Sequence, residues 1–113
     1  EYLVYYLGML IGYYMMIHSD RGWYYAERCI RWSQDASLSR KYFFYRDMVQ
    51  ALKYETRKEV HLSLPEDFPL YNAEGVYRVS DLQDYFYRQG KEIGALFDTR
   101  NGATYFADQV NRE

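Results

Sequence analysis

The sequence predicts a mainly α single domain over residues 1–113: an N-terminal three-helix antiparallel bundle over 1–58, and a smaller, acidic C-terminal part over 59–113 containing one helix and one or two short β strands. Three observations predict it. Apolar residues recur at intervals of three and four through most of the first 58 positions. The breaks between these runs are short, which makes successive helices neighbours. Period-two alternation appears only after Glu59. A chain of 113 residues can bury one core but not two, and 49% hydrophobic residues with a net charge of -2 exclude a disordered polymer.

The first run, Tyr2 to Ile17, carries no charged side chain. A membrane span needs about 20 apolar residues; this run is shorter, contains five tyrosines and meets His18, Asp20 and Arg21 at once, so a membrane is not an expected partner. Leu3, Leu7, Leu10, Tyr14 and Ile17 form its expected inward stripe, and Gly8 and Gly12 a notch for a close neighbour. A second helix is expected from Gly22 to Ser33, capped by Ser19 or Asp20. It turns Trp23, Ala26 and Ile30 inward and Arg21, Arg28 and Arg31 outward, with Glu27 placed to pair with Arg31.

The chain is organised around the next stretch, Ser37 to Glu59, which reads as one long amphipathic helix. Leu38, Tyr42, Tyr45, Met48, Val49 and Leu52 mark its core face; Arg46, Gln50, Lys53 and Arg57 mark a basic, wet one. Two helices joined by a tight turn invite comparison with hairpin repeats of about 34 residues, but no second copy follows, so this is not a repeat protein.

Beyond Glu59, Val60, Leu62 and Leu64 alternate with His61 and Ser63 until Pro65, and Val76 to Val79 offers a second short strand. Ser80 and Gln83 form an expected capping box for a helix carrying Leu82, Tyr85, Phe86, Gln89 and Ile93 on one side, with Asp84 and Arg88 paired. Gly90 and Gly94 weaken the pattern and place its end near Gln89. Asn101-Gly102 then reads as the turn of a hairpin between 95–99 and 103–107, in preference to a short terminal helix.

Charge divides the chain: residues 21–58 balance to +5 and residues 59–113 to -5. A lone Cys29 excludes an internal disulfide and a multi-cysteine zinc site, and favours a reducing, cytoplasmic setting. Its place between Arg28 and Arg31 would lower the thiol pKa if it were exposed; a buried, inert thiol is the favoured reading. His18 and His61, with Asp20, Glu27 and Asp35, match no metal-ligand spacing, and no glycine-rich phosphate loop is present. No catalytic residue, metal or cofactor is therefore expected.

What remains is the surface chemistry of fifteen tyrosines, two tryptophans and the arginines beside them. Such side chains supply rigid contact area with polar tips, the composition of binding hot spots. In the pairs Tyr5-Tyr6, Tyr13-Tyr14 and Tyr24-Tyr25 one ring should point inward and its neighbour outward. The expected function is a non-enzymatic protein-protein interaction module, a small adaptor, inhibitor or immunity-type protein. Its partner is a protein, a second copy included, and its contact residues are Tyr24, Arg28, Arg31, Arg46, Lys53 and Arg57. The alternatives are a nucleic-acid-binding protein using the basic face of 37–59, and a small enzyme assembled from scattered residues around His18, Cys29 or His61.

Overall fold

A computed structural model describes residues 2–102 and 104–113, with side chains from Leu7 onward. Five α-helices and a two-stranded antiparallel sheet follow the expected order of a helical bundle and a mixed C-terminal part. The radius of gyration, 13.6 Å, is that of one compact unit of this length, for which about 13 Å is expected.

Helices α1 (Tyr2–Ile17) and α2 (Ser19–Ser33) are separated only by His18. Its non-helical backbone, with φ at -158° and ψ at 83°, breaks the helix, and its Nδ1 accepts the Arg21 N–H at 3.4 Å. His18 is thus the cap that was expected of Ser19 or Asp20. Helix α1 packs on both α2 and α3 (Leu38–Ala51). From Leu7 onward its buried residues are Gly8, Ile11 and Met15, whereas Leu10 and Ile17 of the expected stripe are exposed and Leu7 and Tyr14 half-buried. In a helix apolar all round, periodicity does not single out a face. Contact does: Asp47 closes on Gly8, and Met15 packs against Gly22 of α2. Gly12 faces open space, so the notch has one working glycine. The side chains of Leu3 and of the Tyr5-Tyr6 pair lie outside the described residues.

Helix α2 buries Trp23, Ala26 and Ile30 as expected, together with Cys29. Helix α3 buries Tyr42, Phe44, Tyr45, Met48 and Val49, while Leu38 at its start is exposed. The expected single helix to Glu59 does not form. Helix α3 ends at Ala51, a 3₁₀ turn covers Leu52–Tyr54, and the chain then extends into β1 (Glu59–His61). Tertiary hydrogen bonds override the local periodicity: the Glu55 carboxylate accepts Trp23 Nε1–H at 2.7 Å, the Arg57 N–H at 3.1 Å and the Arg57 guanidinium at 2.7 Å, which pulls residue 55 out of helical geometry.

Strand β1 pairs with β2 (Val76–Arg78) in the register Glu59–Arg78, Val60–Tyr77, His61–Val76. Between them the chain drops Leu62, Leu64 and Phe68 into the core. Helix α4 (Val79–Asn101) leaves β2 directly and runs past both Gly90 and Gly94 to the left-handed Gly102. Two expectations fall here. Ser80 and Gln83 do not form a capping box; no side chain caps α4, and Gln83 instead donates to the Val49 carbonyl. The hairpin is absent: 95–99 is helical, and after Gly102 the chain forms the short helix α5 (Tyr105–Gln109), with Ala103 outside the described residues.

The glycines that seemed to end α4 are its docking face. Val110 seats over Gly90, and a Cβ at Gly94 would lie 2.8 Å from the Ala107 nitrogen. Asp98, buried at the end of α4, accepts the Phe106 and Ala107 N–H groups at 2.7 and 2.9 Å and so caps α5 from outside. Phe86, fully buried, packs edge-on to Phe44 and beside Tyr45; Tyr42 meets Phe97 and Phe106 and donates its hydroxyl to the Phe106 carbonyl at 2.6 Å. Among the described residues no buried side-chain nitrogen or oxygen lacks a partner, the hydroxyls of the buried Tyr42, Tyr45 and Tyr77 included.

Candidate protein-interaction surface

The outer side of α1 leaves large apolar groups uncovered: Met9 is 67% exposed, Met16 55%, Ile17 56% and Tyr13 54%. From Tyr13 a chain of rings crosses to α2. Tyr13 meets Tyr14 edge-on at 5.4 Å, Tyr14 stacks on Tyr25 at 5.6 Å, and Tyr25 meets Tyr24 at 5.3 Å. The outer members, Tyr13 and Tyr24, are exposed, and the inner ones, Tyr14 and Tyr25, half-buried, as adjacent pairs on a helix boundary should be. The Arg28 guanidinium closes the chain, lying 4.0 Å over the Tyr24 ring and donating to its hydroxyl at 2.5 Å, while Arg21 sits over Tyr14.

Further along α2, Glu27 and Arg31 do not pair with each other. Both reach Ser63 just beyond β1: the Glu27 carboxylate accepts the Ser63 N–H at 2.9 Å and Arg31 donates to the Ser63 carbonyl at 3.0 Å. Between α2 and β1 lies a groove of about 490 Å³ lined by Asp20, Trp23, Tyr24, Glu27, Arg57 and residues 59–62. Arg57 is its basic corner, held by Asp20 at 2.9 Å, Glu55 at 2.7 Å and Ser19 Oγ at 3.1 Å. Burial alone would raise the Glu55 carboxyl, but the hydrogen bonds from Arg57 and Trp23 prevail and hold it down at about 2.

The six expected contact residues therefore separate. Tyr24, Arg28 and Arg31 share the outer face of α2, and Arg57 stands beside them across the groove. Lys53 lies on the other side of Arg57, donating to the Glu113 carbonyl and lining a second depression of about 850 Å³ with Arg57, Lys58, Arg78 and Arg112. Arg46 remains on α3, bonded to Asp47 and 5.0 Å over Phe43, and lines neither hollow. The continuous basic face expected of 37–59 is broken, because Lys53 and Arg57 sit beyond the end of α3. The tyrosine chain from α1 to α2 is legible only in part: the Tyr-Tyr pairs mark its halves, and nothing in one sequence joins them.

The residues considered for chemistry stay scattered. Cys29 is buried, and burial pushes its thiol up to about 11. His18 is the α2 cap, and of the three only His61 lines the groove. Among the described residues, no group of three His, Cys, Asp or Glu side chains could hold a metal ion, and no helix is long and apolar enough to cross a membrane. No protein-family model, no curated protein and no solved structure matches this chain.

Proposed function

We propose that this chain is a non-enzymatic protein-interaction module, of the size and kind of a small adaptor, inhibitor or immunity protein, whose contact surface runs from the outer side of α1 across the tyrosine chain to Arg28. The observation that carries the reading is the exposure of Met9, Tyr13, Met16, Ile17 and Tyr24 on one uncharged run of helix and its neighbour. Contiguous exposed apolar area of this kind marks interaction sites, and tyrosine with arginine gives such a site rigid anchors at low entropic cost. The test is capture of partners from lysate of the source, with nuclease present, by the wild type and by a Tyr13→Glu/Tyr24→Glu variant of intact circular dichroism. A stoichiometric protein retained by the first and lost by the second is the expected result; identical eluates would remove this surface from the function.

A second reading has its own observation. Lys53, Arg57, Lys58, Arg78 and Arg112 line one depression whose acidic lining residues are Glu55 and Glu59; Asp20 and Asp84 hold Arg57 and Arg112 from outside it, and the excess of cations suits a polyanion. If nucleic acid is the ligand, affinity for a labelled single strand falls steeply with salt and Lys58→Glu/Arg78→Glu abolishes it.

A further inference from the structure

The small sheet has two outer edges, and their backbone groups are treated differently. The bonds Val79 N–H to Lys58 carbonyl and Leu62 N–H to Gly75 carbonyl fix the parity of the ladder. Lys58, Val60 and Leu62 turn their backbone groups toward β2, so Glu59, His61 and Ser63 turn theirs to the outer side of β1. On the far side, Val76 and Arg78 face outward from β2. Most of that edge is occupied: the Asn72 side-chain amide accepts the Val76 N–H at 3.3 Å and donates to its carbonyl at 2.8 Å, and Arg78 is the cap residue whose carbonyl opens α4, which leaves the Arg78 N–H as the one outward group of β2 without a bond to the described residues. On β1, Glu27 and Arg31 occupy both groups of Ser63, in the places a neighbouring strand would use. Of the strand residues, only Glu59 and His61, both exposed, keep both an outward N–H and an outward carbonyl without a partner among the described residues, and they line the groove beside Tyr24.

Unpaired strand edges are templates for another strand, and folded proteins usually cover them. Here the covering stops where the groove begins. We propose that the partner of this interaction module inserts an extended segment into the groove and pairs its backbone with Glu59 and His61 as a third strand of the sheet. The lining sets its charge: Asp20, Glu27 and Glu59 oppose Arg57, which is already held by Asp20 and Glu55, so the entering segment carries a lysine or arginine opposite Glu59. This inference rests on the interaction reading and adds to it the conformation and charge of the ligand.

The probe is a random-peptide display library selected on the whole protein. Enriched peptides should be basic and β-prone. Methylating their backbone nitrogens one at a time should abolish binding at alternate positions only, since a strand bonds its neighbour with period two. Affinity should fall at least tenfold with His61→Pro, which deletes an outward N–H and leaves the β1–β2 ladder intact, and with Glu59→Lys, which keeps the backbone and reverses the charge; the second variant decides the matter if the first unfolds. Absence of enriched peptides, insensitivity to Glu59→Lys, or methylation effects without alternation overturn the proposal. Should the lysate partner depend on Tyr13 and Tyr24 while Glu59→Lys has no effect, strand addition fails and the interaction reading stands.

Discussion

Helices α1 and α4 carry the same device, glycines four residues apart, and put it to different use. In α4 both glycines are covered, Gly90 by Val110 and Gly94 by the backbone of α5. In α1 only Gly8 is covered, by Asp47, and Gly12 looks into open space. The same contrast holds for their outer faces. Asp84 on α4 is held between Arg88 and Arg112, whereas the outer face of α1 carries methionine, leucine and tyrosine without a charge. Spacing alone does not make a packing motif; a neighbour does, and the C-terminal half supplies its own whereas α1 leaves one side uncovered.

The comparison is most easily broken in the core. Phe86→Ala should cost about 3–5 kcal/mol in urea denaturation, while Met16→Ala, on the exposed side of α1, should stay within about 0.5 kcal/mol. An equal loss at Met16 would mean that α1 is covered in the isolated protein, for example by a second copy. Next in size, Gly94→Ala drives a methyl group into the α5 backbone and should cost about 1–3 kcal/mol, read as a lower urea midpoint. Asp98→Ala strips the acceptor from two α5 N–H groups and should cost a similar amount, about 1–3 kcal/mol, with accelerated amide exchange concentrated at Phe106 and Ala107. Gly12→Ala has the opposite sign: with no neighbour to strike, it should stabilise α1 by about 0.5–1 kcal/mol.

A further effect is seen in acid. Glu55 is held at about 2 against its ordinary 4.5, so its contribution is complete above pH 4.5 and disappears as the pH falls toward 2. Glu55→Gln should flatten the fall of melting temperature across that window. Asp47, beside Gly8, runs the other way: burial raises its carboxyl above 3.8 against the opposing charge and hydrogen bond of Arg46. It therefore favours the folded state at low pH and loses that contribution as the pH rises through its folded value, so Asp47→Asn should steepen the same curve.

Most of the helical content was legible because α2 and the first part of α3 have one apolar face each, and Trp23, Ala26, Ile30, Tyr42, Tyr45 and Met48 are buried as their spacing indicates. The errors have a common cause, which is partners distant in sequence. Glu55 ends the third helix by accepting from Trp23, thirty-two residues away. Gly90 and Gly94 look like helix breakers until Val110 and α5 are set against them. The stripe on α1 was displaced because a uniformly apolar helix gives its neighbours, and not its own period, the choice of face. Of the six expected contact residues, Tyr24 and Arg28 lie against each other, as their spacing of four on one helix allows; the junction of Tyr24 with Tyr13 through Tyr14 and Tyr25 depends on how α1 lies on α2, which no local pattern encodes.

The anchoring of residues 106–113 on α3 also bears on how the chain folds in time. Tyr42 bonds to Phe106 across 64 positions and Gln50 to Asn111 across 61, with fully buried Val110 between them. Helical turns and the α1–α2 pair need only short loops to close, whereas this clasp requires the whole of the sheet and α4 to be drawn in first. It is therefore expected to form late on the folding path and to open early. Shortening Val110 to alanine should then show in stopped-flow as faster unfolding with little change in the folding rate, so that this clasp bears on how long a folded molecule lasts.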